Sequence, residues 1–455
     1  MKISINLGSK ILLFLSIIIF FYIFYRAQIH HQGKFFDYYK KYYLLSLIFF
    51  TFSIVTLFLK KELTQKIILF LSSIIFSLYL IELFLMLKPD NPFSQMISDD
   101  KKLGVEFDSR SKVEFYSDSI KKNPDLVMAI PGMQIINKGK TILRFGGISN
   151  RKTVLCNESG QYVVYQSDRY GFNNPDEEWE KEKIDFLLVG DSFTHGYCVN
   201  TENTMSGNLI LLKKNNNGVI NLGAVGSGPI AQYASLREYL PIKKVKNVLW
   251  MFYGGNDITD FNLDLNNEIL LKYINDKNFT QNLKTKQKII DKILINLQNK
   301  IYLSKKKDFI KLYNVRSFFT EYTYKPSSKD QANKKFFKEK KFKDLVKQVN
   351  EFVESQGANL YFVYLPPYVS LLSNDELKSV KNLDYKDNEL ANYQQYGEII
   401  KIINDLNIPV IDLKKEVFDK SEDPFAFYPF GLPGKHYNEL GYKKISETIL
   451  SITIK

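Results

Sequence analysis

The sequence predicts an α/β protein in which a parallel β-sheet, covered by helices on both faces, follows a set of membrane-spanning helices. Two features of the 455-residue chain predict this arrangement. Three long apolar runs occur before residue 90, and from residue 184 onward buried-strand patterns alternate with helical ones. This alternation is typical of parallel sheets, because a crossover between parallel strands needs a connection about as long as a helix.

The three apolar runs, at residues 11–25, 42–59 and 67–87, are predicted to be transmembrane helices. The second and third have the length needed to cross the hydrocarbon core of a bilayer. The first is shorter, but Lys10 and Arg26 flank it, and such long side chains can reach the membrane surface from a partly buried position. No small-residue cleavage motif follows it, which favours a retained span over a signal peptide.

The orientation of these helices is not determined by charge, because lysine and arginine are divided almost evenly between the two sides. Three spans with the N-terminus inside the cell place the large C-terminal part outside the cytoplasm. Glu82 lies in the third run. An acidic residue in a span is expected to be functional or to pair with a partner, and a position near the outer interface is the alternative.

The rest of the chain divides into a β-rich lead-in region at residues 91–180 and an α/β domain at residues 181–455. Sheet strands are predicted at residues 184–190, 218–222, 248–253, 359–365 and 409–413, and helices at residues 202–214, 229–239, 339–356, 390–405 and 439–452. A Lys- and Asn-rich stretch at about 260–340 interrupts the alternation. We interpret it as a solvated helical insertion near the mouth of the site, with contact to a membrane surface or a polyanion as the alternative.

The formal net charge of +13 has two interpretations. It attracts acidic lipid headgroups or acidic polymers, or it reflects a general bias toward lysine and asparagine. No nucleic-acid-binding motif is present. Nucleic acid is therefore not expected as a partner.

A candidate nucleophile, Ser192, follows the first predicted sheet strand in the run GDSFT at residues 190–194. A hydroxyl at this edge lies near the N–H groups of the emerging helix, which can stabilise a developing negative charge. Serine is also a common helix cap, so this motif alone fits a structural role equally well.

A nucleophilic serine needs a base, and histidine has a suitable pKa. The chain has four histidines. His30 and His31 belong to the membrane region, and His195 lies three residues after Ser192 on the same predicted helix. His436, in the loop before the last helix, is therefore the predicted base.

Two other strand ends carry groups that can bind an oxyanion. Gly226 lies in the run NLGAVGSG after the second sheet strand, where a glycine exposes its backbone N–H. Asn256 lies in the run GGND after the third sheet strand, and its amide side chain is a hydrogen-bond donor. Ordinary turns use the same residue types.

Along the chain the four motifs contain Ser192, Gly226, Asn256 and His436 in this order. The first three follow predicted strands, and the fourth precedes the last helix. Together they resemble the motifs of the SGNH hydrolases, also called GDSL-type esterases and lipases. The resemblance covers about residues 184–452. It implies an SGNH-hydrolase-like (flavodoxin-like) parallel sheet, Ser192 as nucleophile and His436 as base. It also implies an oxyanion hole formed by the N–H groups of Ser192 and Gly226 and the side chain of Asn256. No metal and no organic cofactor is implied.

The sequence departs from the family pattern at one place. The family usually has an aspartate three residues before the histidine, and Pro433 stands there. Without a carboxylate, the histidine loses the group that orients it and stabilises the imidazolium. Asp423 is the nearest upstream candidate for this role, and a Ser–His dyad held by a backbone carbonyl is the alternative.

The chain contains two cysteines, Cys156 and Cys198. In an oxidising compartment such a pair forms one disulfide, and in a reducing one it remains two buried thiols. The run SDRYGFNNP at residues 167–175 resembles the lead-in of envelope-associated bacterial SGNH proteins linked to surface polysaccharides. The cysteine pair fits such an exported protein, so we predict a disulfide.

The resemblance thus predicts a membrane-anchored serine esterase or O-acyltransferase that faces the cell exterior and acts on O-acetyl groups of surface glycans. A lipase or lysophospholipase is the first alternative, suggested by the membrane helices and the basic insertion. A non-catalytic scaffold of an envelope assembly is the second, suggested by Pro433. The expected partners are the lipid bilayer, an acylated glycan or lipid, and envelope-assembly proteins.

Overall fold

The computed structural model describes residues 7–30, 33, 36–87, 106–240, 244–305, 309–310, 312–316, 337–379 and 384–453. The chain forms two compact units. The membrane unit contains residues 1–90 and 307–324, and the globular unit contains residues 91–306 and 325–455. Residues 317–336 of the predicted insertion lie outside the described residues, as does His31.

The membrane unit is built from long helices. They are α1 (Leu7–Phe24), which continues as a π-helical stretch (Tyr25–His30), α2 (Phe36–Thr56) and α3 (Lys61–Leu87). Two stretches of the described chain, Leu7–Ile29 and Lys61–Leu85, are long and apolar enough to cross a membrane. The α2 helix does not meet the same criterion, because Lys40 and Lys41 lie in its first turns and it ends at Thr56. Its uncharged part is shorter than the roughly 17–25 residues of a span.

Glu82 is buried in α3, and part of the predicted insertion packs against it. Its carboxylate accepts hydrogen bonds from the backbone N–H of Asn314 at 3.0 Å, from the Asn314 side chain at 3.1 Å and from the backbone N–H of Val315 at 2.9 Å. The hydroxyl of Tyr79 donates to the carbonyl of Ile310 at 3.0 Å. The partner of Glu82 is therefore a segment of the same chain, within the predicted insertion.

The globular unit begins with the lead-in region. Its elements are α4 (Lys112–Ser119), β1 (Val127–Met128), β2 (Gln134–Asn137), β3 (Lys140–Leu143), β4 (Lys152–Val154) and β5 (Val164–Gln166). The order β1-β4-β5 forms a small sheet, and β2 and β3 form an antiparallel hairpin. The observed strands agree with the prediction that this region is rich in β-structure, and two of them, β3 and β5, overlap runs of alternating apolar residues at 141–145 and 161–165.

The main sheet has five parallel strands in the order β10-β9-β8-β6-β7. They are β6 (Lys183–Val189), β7 (Gly218–Asn221), β8 (Lys244–Tyr253), β9 (Asn359–Leu365) and β10 (Val410–Asp412). The prediction of a parallel α/β sheet is confirmed. Because β6 comes first in the chain but lies between β7 and β8, the sheet grows in both directions from it. Ligand sites of such sheets form at the carboxyl ends of the strands, at this switch point.

The helices after β6 belong to the globular unit, and they include those that cover both faces of the main sheet. They are α5 (Ser192–His195), α6 (Met205–Leu212), α7 (Pro229–Tyr239), α8 (Asp257–Asp264), α9 (Glu268–Asn275), α10 (Leu283–Lys305), α11 (Glu339–Ser355), α12 (Asn374–Ser379), α13 (Asp384–Tyr393), α14 (Tyr396–Asp405) and α15 (Glu439–Thr453). Successive side chains of a strand point to opposite faces. Accordingly, Trp250 and Phe252 of β8 join one hydrophobic cluster, and Leu249 and Met251 join the other.

Helix α10 belongs to the predicted insertion, yet it supports the lead-in region. The Gln298 side chain accepts a hydrogen bond from the backbone N–H of Met128 at 2.7 Å and donates one to the Tyr116 hydroxyl at 2.7 Å. Asp291 accepts hydrogen bonds from the backbone and hydroxyl of Ser149 at 2.9 and 2.7 Å. One face of this helix is therefore buried against the lead-in region, so the insertion is not solvated on all sides.

Candidate active site

The turn after β6 brings Ser192 to the edge of the main sheet. A side chain at Gly190 would lie 2.0 Å from the Thr194 hydroxyl and 2.7 Å from the carbonyl of Met251, so only glycine fits there. Asp191 caps α5, because its carboxylate accepts the backbone N–H of Phe193 at 2.9 Å. Ser192 is the first residue of α5 and is 9% exposed.

His436 reaches Ser192 from the loop before α15. Its Nε2 lies 2.8 Å from the Ser192 Oγ, within the range needed for general-base catalysis. Two hydrogen bonds hold the loop directly after His436. The Tyr437 hydroxyl donates to the carbonyl of Pro366, just after β9, at 2.6 Å, and the Asn438 N–H donates to the carbonyl of Phe427 at 2.8 Å.

Glu158 of the lead-in region holds the other side of His436. Its Oε1 lies 2.9 Å from the Nδ1 of His436, and its Oε2 accepts the backbone N–H of His436 at 2.8 Å. The Lys435 ammonium donates to the backbone carbonyl of Glu158 at 3.1 Å. The glutamate therefore fixes both the ring and the backbone of the histidine, and the three side chains form a Ser–His–Glu line.

Asp423 does not orient His436, and that expectation is corrected. Its carboxylate accepts the backbone N–H groups of Phe425 and Ala426, at 3.1 and 3.3 Å, and so caps the short 3₁₀ turn Pro424–Phe427. The dyad held by a backbone carbonyl is not found either, because Glu158 occupies the Nδ1 side of the ring.

A disulfide joins Cys156 and Cys198, with their Cα atoms 5.3 Å apart. Cys156 is two residues before Glu158, and Cys198 is six residues after Ser192. The bridge thus ties the loop that carries the glutamate to the segment that follows the nucleophile.

The electrostatic surroundings of His436 suit a base. Burial lowers its pKa, but the adjacent Glu158 carboxylate, with the charges of Asp191 and Glu389, outweighs burial and raises the pKa above the ordinary histidine value. The hydrogen bond to Glu158 favours the tautomer with the hydrogen on Nδ1, which leaves Nε2 free to accept the serine proton. The rings of Phe193 and Tyr197 lie 4.5 and 4.8 Å from the imidazole.

Gly226 lies on a loop that is bonded to the nucleophile turn. The backbone N–H of Ala224 and the hydroxyl of Ser227 both donate to the carbonyl of Gly190, at 3.0 and 2.9 Å. Gly226 has a φ of +75°, and no atom lies within 4 Å of where a side chain would be. A left-handed backbone facing open space favours glycine and leaves its surroundings free for a substrate.

Asn256 lies between β8 and α8, beside the nucleophile turn. Its side-chain nitrogen donates to the Asp191 carboxylate at 3.3 Å. An amide nitrogen carries two hydrogens, so a second one is available for an oxyanion. The fully buried Asp257 stabilises the same turn, because it accepts the backbone N–H of Tyr253 at 2.9 Å.

The SDRYGFNNP motif joins the lead-in region to the main sheet. The Asn174 side chain pairs with the backbone of Asn221 on the edge strand β7, accepting its N–H at 2.8 Å and donating to its carbonyl at 3.0 Å. Asn173 donates to the carbonyl of His195, at the end of α5, at 3.1 Å. The motif therefore completes the sheet edge and braces the nucleophile helix.

His195, the other candidate for the base, lines a cavity together with residues of the lead-in region. The side chain is buried, and burial, together with the nearby His436, lowers its pKa to about 4. Its Nδ1 is buried without a hydrogen-bond partner. Within the described part of the chain, no group of three or more metal-ligating side chains is placed to hold a metal ion.

Glu158 is the site residue that the motif analysis missed. It lies 278 positions before His436 and outside the region covered by the family resemblance. One signal pointed to it. If Cys156 pairs with Cys198, the residues next to Cys156 must lie near the end of α5, and Glu158 is the acidic residue among them.

No protein-family model matches the chain, and no curated protein matches it. Solved structures with a similar fold include a lipolytic protein of the G-D-S-L family from Desulfitobacterium hafniense DCB-2, with 14% identity, 60% of this chain and 99% of that chain covered, and a TM-score of 0.32. The lipase/acylhydrolase from Enterococcus faecalis is 14% identical, with 59% of this chain and 94% of that chain covered, and has a TM-score of 0.31. A lipolytic protein of the G-D-S-L family from Veillonella parvula DSM 2008 is 12% identical, with 60% of this chain and 99% of that chain covered, and has a TM-score of 0.33. At these identities the likeness concerns the fold alone.

Proposed function

We propose that this protein is a membrane-anchored serine esterase that works through an acyl-enzyme. The observation that carries the proposal is the unbroken line of hydrogen bonds from Glu158 through His436 to Ser192, at 2.9 and 2.8 Å. This geometry activates a serine that is otherwise a weak nucleophile.

The reaction follows from the positions of these groups. The Ser192 Oγ attacks the ester carbonyl carbon, and its proton passes to Nε2 of His436. The carbonyl oxygen becomes an oxyanion that accepts hydrogen bonds from the N–H groups of Ser192 and Gly226 and from the Asn256 amide. Collapse of this intermediate breaks the ester C–O bond, and His436 returns the proton to the departing alcohol.

The acyl-enzyme is then cleaved in the same way by an incoming hydroxyl group. Water attacks the acyl carbon, passes its proton to His436 and releases a carboxylic acid, which restores Ser192. A sugar hydroxyl in place of water would transfer the acyl group and make the protein an O-acyltransferase. The same three residues serve both outcomes.

We place the globular unit outside the cytoplasm. The disulfide between Cys156 and Cys198 supports this, because disulfides persist in oxidising compartments. The apolar helices support attachment to a membrane. O-acetylated surface glycans are the proposed substrate, on the resemblance of the SDRYGFNNP motif to envelope-associated proteins.

The alternative of a non-catalytic scaffold is weakened by the site geometry. Its main support was Pro433, which stands where the family usually has an aspartate. Since Glu158 supplies a carboxylate to the same nitrogen of His436, the missing aspartate gives no reason to expect an inactive protein.

The proposal is tested with the full-length protein in detergent and p-nitrophenyl acetate as substrate. Ser192→Ala should lower kcat by about 10⁴-fold or more and abolish labelling by a fluorophosphonate. Ser451→Ala, an exposed serine on α15, is the matched control and should keep the wild-type rate. Equal hydrolysis by wild type and Ser192→Ala would refute the esterase proposal.

The substrate class is tested in a second arm with the same proteins. An acetylated oligosaccharide and a lysophospholipid are supplied at equal ester concentration, and the released acid is measured. Faster release from the oligosaccharide supports the glycan substrate. Faster release from the lysophospholipid would overturn it in favour of the lipase alternative.

A further inference from the structure

A short piece of the insertion, the 309–316 segment, packs on the last third of α3 in the membrane unit. It begins with a turn and ends in one helical turn, in which the N–H of Arg316 donates to the carbonyl of Leu312 at 2.9 Å. The chain leaves the globular unit after residue 306 and returns to it at residue 325. The segment therefore belongs to the membrane unit, although the helices before and after it, α10 and α11, belong to the globular unit.

Two polar side chains of α3 bind the backbone of this segment. Apart from three serines, Tyr79 and Glu82 are the only polar residues among residues 67–87. Tyr79 donates to the carbonyl of Ile310 at 3.0 Å, and Glu82 accepts the backbone N–H groups of Asn314 and Val315 at 3.0 and 2.9 Å. Lipid offers no hydrogen bonds, so backbone groups at membrane depth must find partners within the protein. The polar residues of α3 supply such partners to the segment.

The contact lies near the end of the apolar stretch of α3, which spans Lys61–Leu85. At a rise of about 1.5 Å per residue, Glu82 lies roughly 4–5 Å and Tyr79 roughly 9 Å from the Leu85 end. Segments that lie in a membrane interface bury their apolar side by about 5–10 Å at the boundary between headgroups and acyl chains. The place of the segment on α3 is therefore that of an interfacial segment.

The outward side of the segment is apolar. Ile310 is 69% exposed and Tyr313 is 55% exposed. Phe309, whose ring lies 5.3 Å from that of Tyr79, is 36% exposed. In the described part of the chain outside α1, α2 and α3, the other exposed large apolar side chains are isolated from one another along the sequence. Isolated ones are normal on a protein surface, whereas a cluster marks an interaction surface.

This exposed surface continues that of α3. Phe76 and Leu83, one turn before and one turn after Tyr79, are 65% and 45% exposed. Side chains three and four positions apart lie on one face of a helix, so these two flank the contact with the segment. A surface that continues the apolar side of a spanning helix has the same surroundings as that helix, which are the acyl chains of lipids.

We propose that the 309–316 segment is inserted into the interfacial layer of the bilayer, with Phe309, Ile310 and Tyr313 in contact with lipid acyl chains. A tyrosine suits this place, because its ring is apolar and its hydroxyl can reach the headgroups. The insertion in the α/β domain thus adds a membrane contact of its own to the N-terminal helices. The inference rests on the membrane attachment in the proposed function and does not depend on ester chemistry.

The test places a fluorescent probe on the segment of the full-length protein. The two cysteines of the chain form the disulfide, so the cysteine of Ile310→Cys is the only free thiol when reductant is absent. The variant is labelled there with a polarity-sensitive thiol probe and reconstituted into phosphatidylcholine vesicles, with and without a lipid that carries a doxyl quencher near the start of its acyl chain. We expect the lipid quencher to lower the emission about twofold or more, since the probe lies at this depth, and iodide in the water to have little effect.

Leu211→Cys is the matched control. Leu211 is also 69% exposed and lies on α6 of the globular unit. The same probe there should respond to iodide and not to the lipid quencher. Tyr313→Cys is a second reporter on the segment and takes the place of Ile310→Cys if that variant does not fold. Circular dichroism checks that each labelled protein is folded.

Three results would overturn the proposal. Quenching of the segment by iodide but not by lipid would show that it faces water. Protection from both quenchers would show that protein covers it, such as a second copy of the chain. Equal lipid quenching of Leu211→Cys would show that the probe itself enters the bilayer. Failure of the esterase proposal is recognised separately, as absence of ester turnover in the wild type, and leaves the quenching results unchanged.

Discussion

Replacement of Glu158 by glutamine tests the part of the site that the structure adds. Glutamine has nearly the same shape, but it has no charge and carries an NH₂ group where one carboxylate oxygen was. If that group faces His436, Nδ1 must accept a hydrogen bond and the ring hydrogen moves to Nε2. The ring can then no longer accept the Ser192 proton.

The size of the effect can be worked out from the contacts. An aspartate-to-asparagine change at the equivalent place in a serine protease lowers kcat by about 10⁴-fold through the wrong tautomer. The Glu158 side chain is 14% exposed, so in the variant water can partly solvate the imidazolium of His436 in place of the carboxylate. We therefore expect Glu158→Gln to lower kcat by about 10²–10⁴-fold, which corresponds to about 3–5 kcal/mol, and to leave KM nearly unchanged.

The pH dependence gives a second readout that a general loss of stability would not reproduce. Only neutral His436 can take the serine proton, so kcat/KM rises as the pH passes through the pKa of this residue. Burial lowers that pKa, and Glu158 opposes burial and raises it. Without the carboxylate the pKa falls, so the acid limb of the profile should move to lower pH.

The assay is steady-state hydrolysis of p-nitrophenyl acetate by the full-length protein between pH 5 and 9. Asp423→Asn is the matched control, because it alters the carboxylate that was first assigned to this role and that caps another turn. The control should stay within about twofold of wild type. The reasoning is refuted if Glu158→Gln keeps its rate within about threefold, or if Asp423→Asn loses as much.

Three further predictions concern the surroundings of the site and the membrane unit. Asn256→Ala should lower kcat by about 10²–10³-fold, as expected for the loss of one oxyanion donor, and an unchanged kcat in steady-state assays would remove it from the oxyanion hole. The double variant Cys156→Ser with Cys198→Ser should lose about 2–4 kcal/mol of unfolding free energy, measured by denaturant titration. It should also lose part of its kcat in the hydrolysis assay, and a wild-type rate would show that the disulfide does not position Glu158. Glu82→Ala should leave the buried donors of Asn314 and Val315 unpaired, which costs about 1–3 kcal/mol of stability for each donor. Amide hydrogen exchange at residues 312–316 should therefore become faster than in the wild type, and an equal rate would contradict the assigned contacts.

The main sheet could be predicted from the sequence because its strands are buried on both faces. Such strands appear as short continuous apolar runs, and β9 (Asn359–Leu365) has the predicted bounds. Helix α7 likewise spans Pro229–Tyr239 as predicted, since a proline fixes its first turn. The predicted helix at 390–405 is instead divided into α13 and α14, which meet at residues 394–395. The spacing of apolar residues along the sequence does not reveal such a short interruption between two helices.

The contacts of the insertion could not be predicted. An amphipathic pattern shows that one face of a helix is buried but not which surface covers it. Helix α10 is covered by the lead-in strands through Gln298 and Asp291. The segment near Asn314 meets Glu82 of α3 instead. Both contacts join residues far apart in the chain, and no local propensity encodes such a pairing.

The same limit explains why the nucleophile and base were predicted but the orienting carboxylate was not. Ser192 and His436 lie at ends of sheet strands or before a helix, so topology alone brings them to one edge. The place of the carboxylate was expected three residues before His436, where Pro433 stands. Glu158 comes from outside the sheet, and the nearby Cys156 indicates its place only once the disulfide is assigned.

The position of Glu158 makes the site depend on the lead-in region as a whole. The glutamate contacts both the ring and the backbone of His436, so a displacement of its loop would misplace the base in two ways at once. The disulfide two residues away connects this loop to the segment after α5. Asn173 connects the lead-in motif to α5 itself, through the carbonyl of His195. Both connections end within a few residues of Ser192. The lead-in region therefore fixes the position of the Glu158 carboxylate relative to the nucleophile. In the family pattern, in which an aspartate shortly precedes the histidine, the carboxylate belongs to the α/β domain itself.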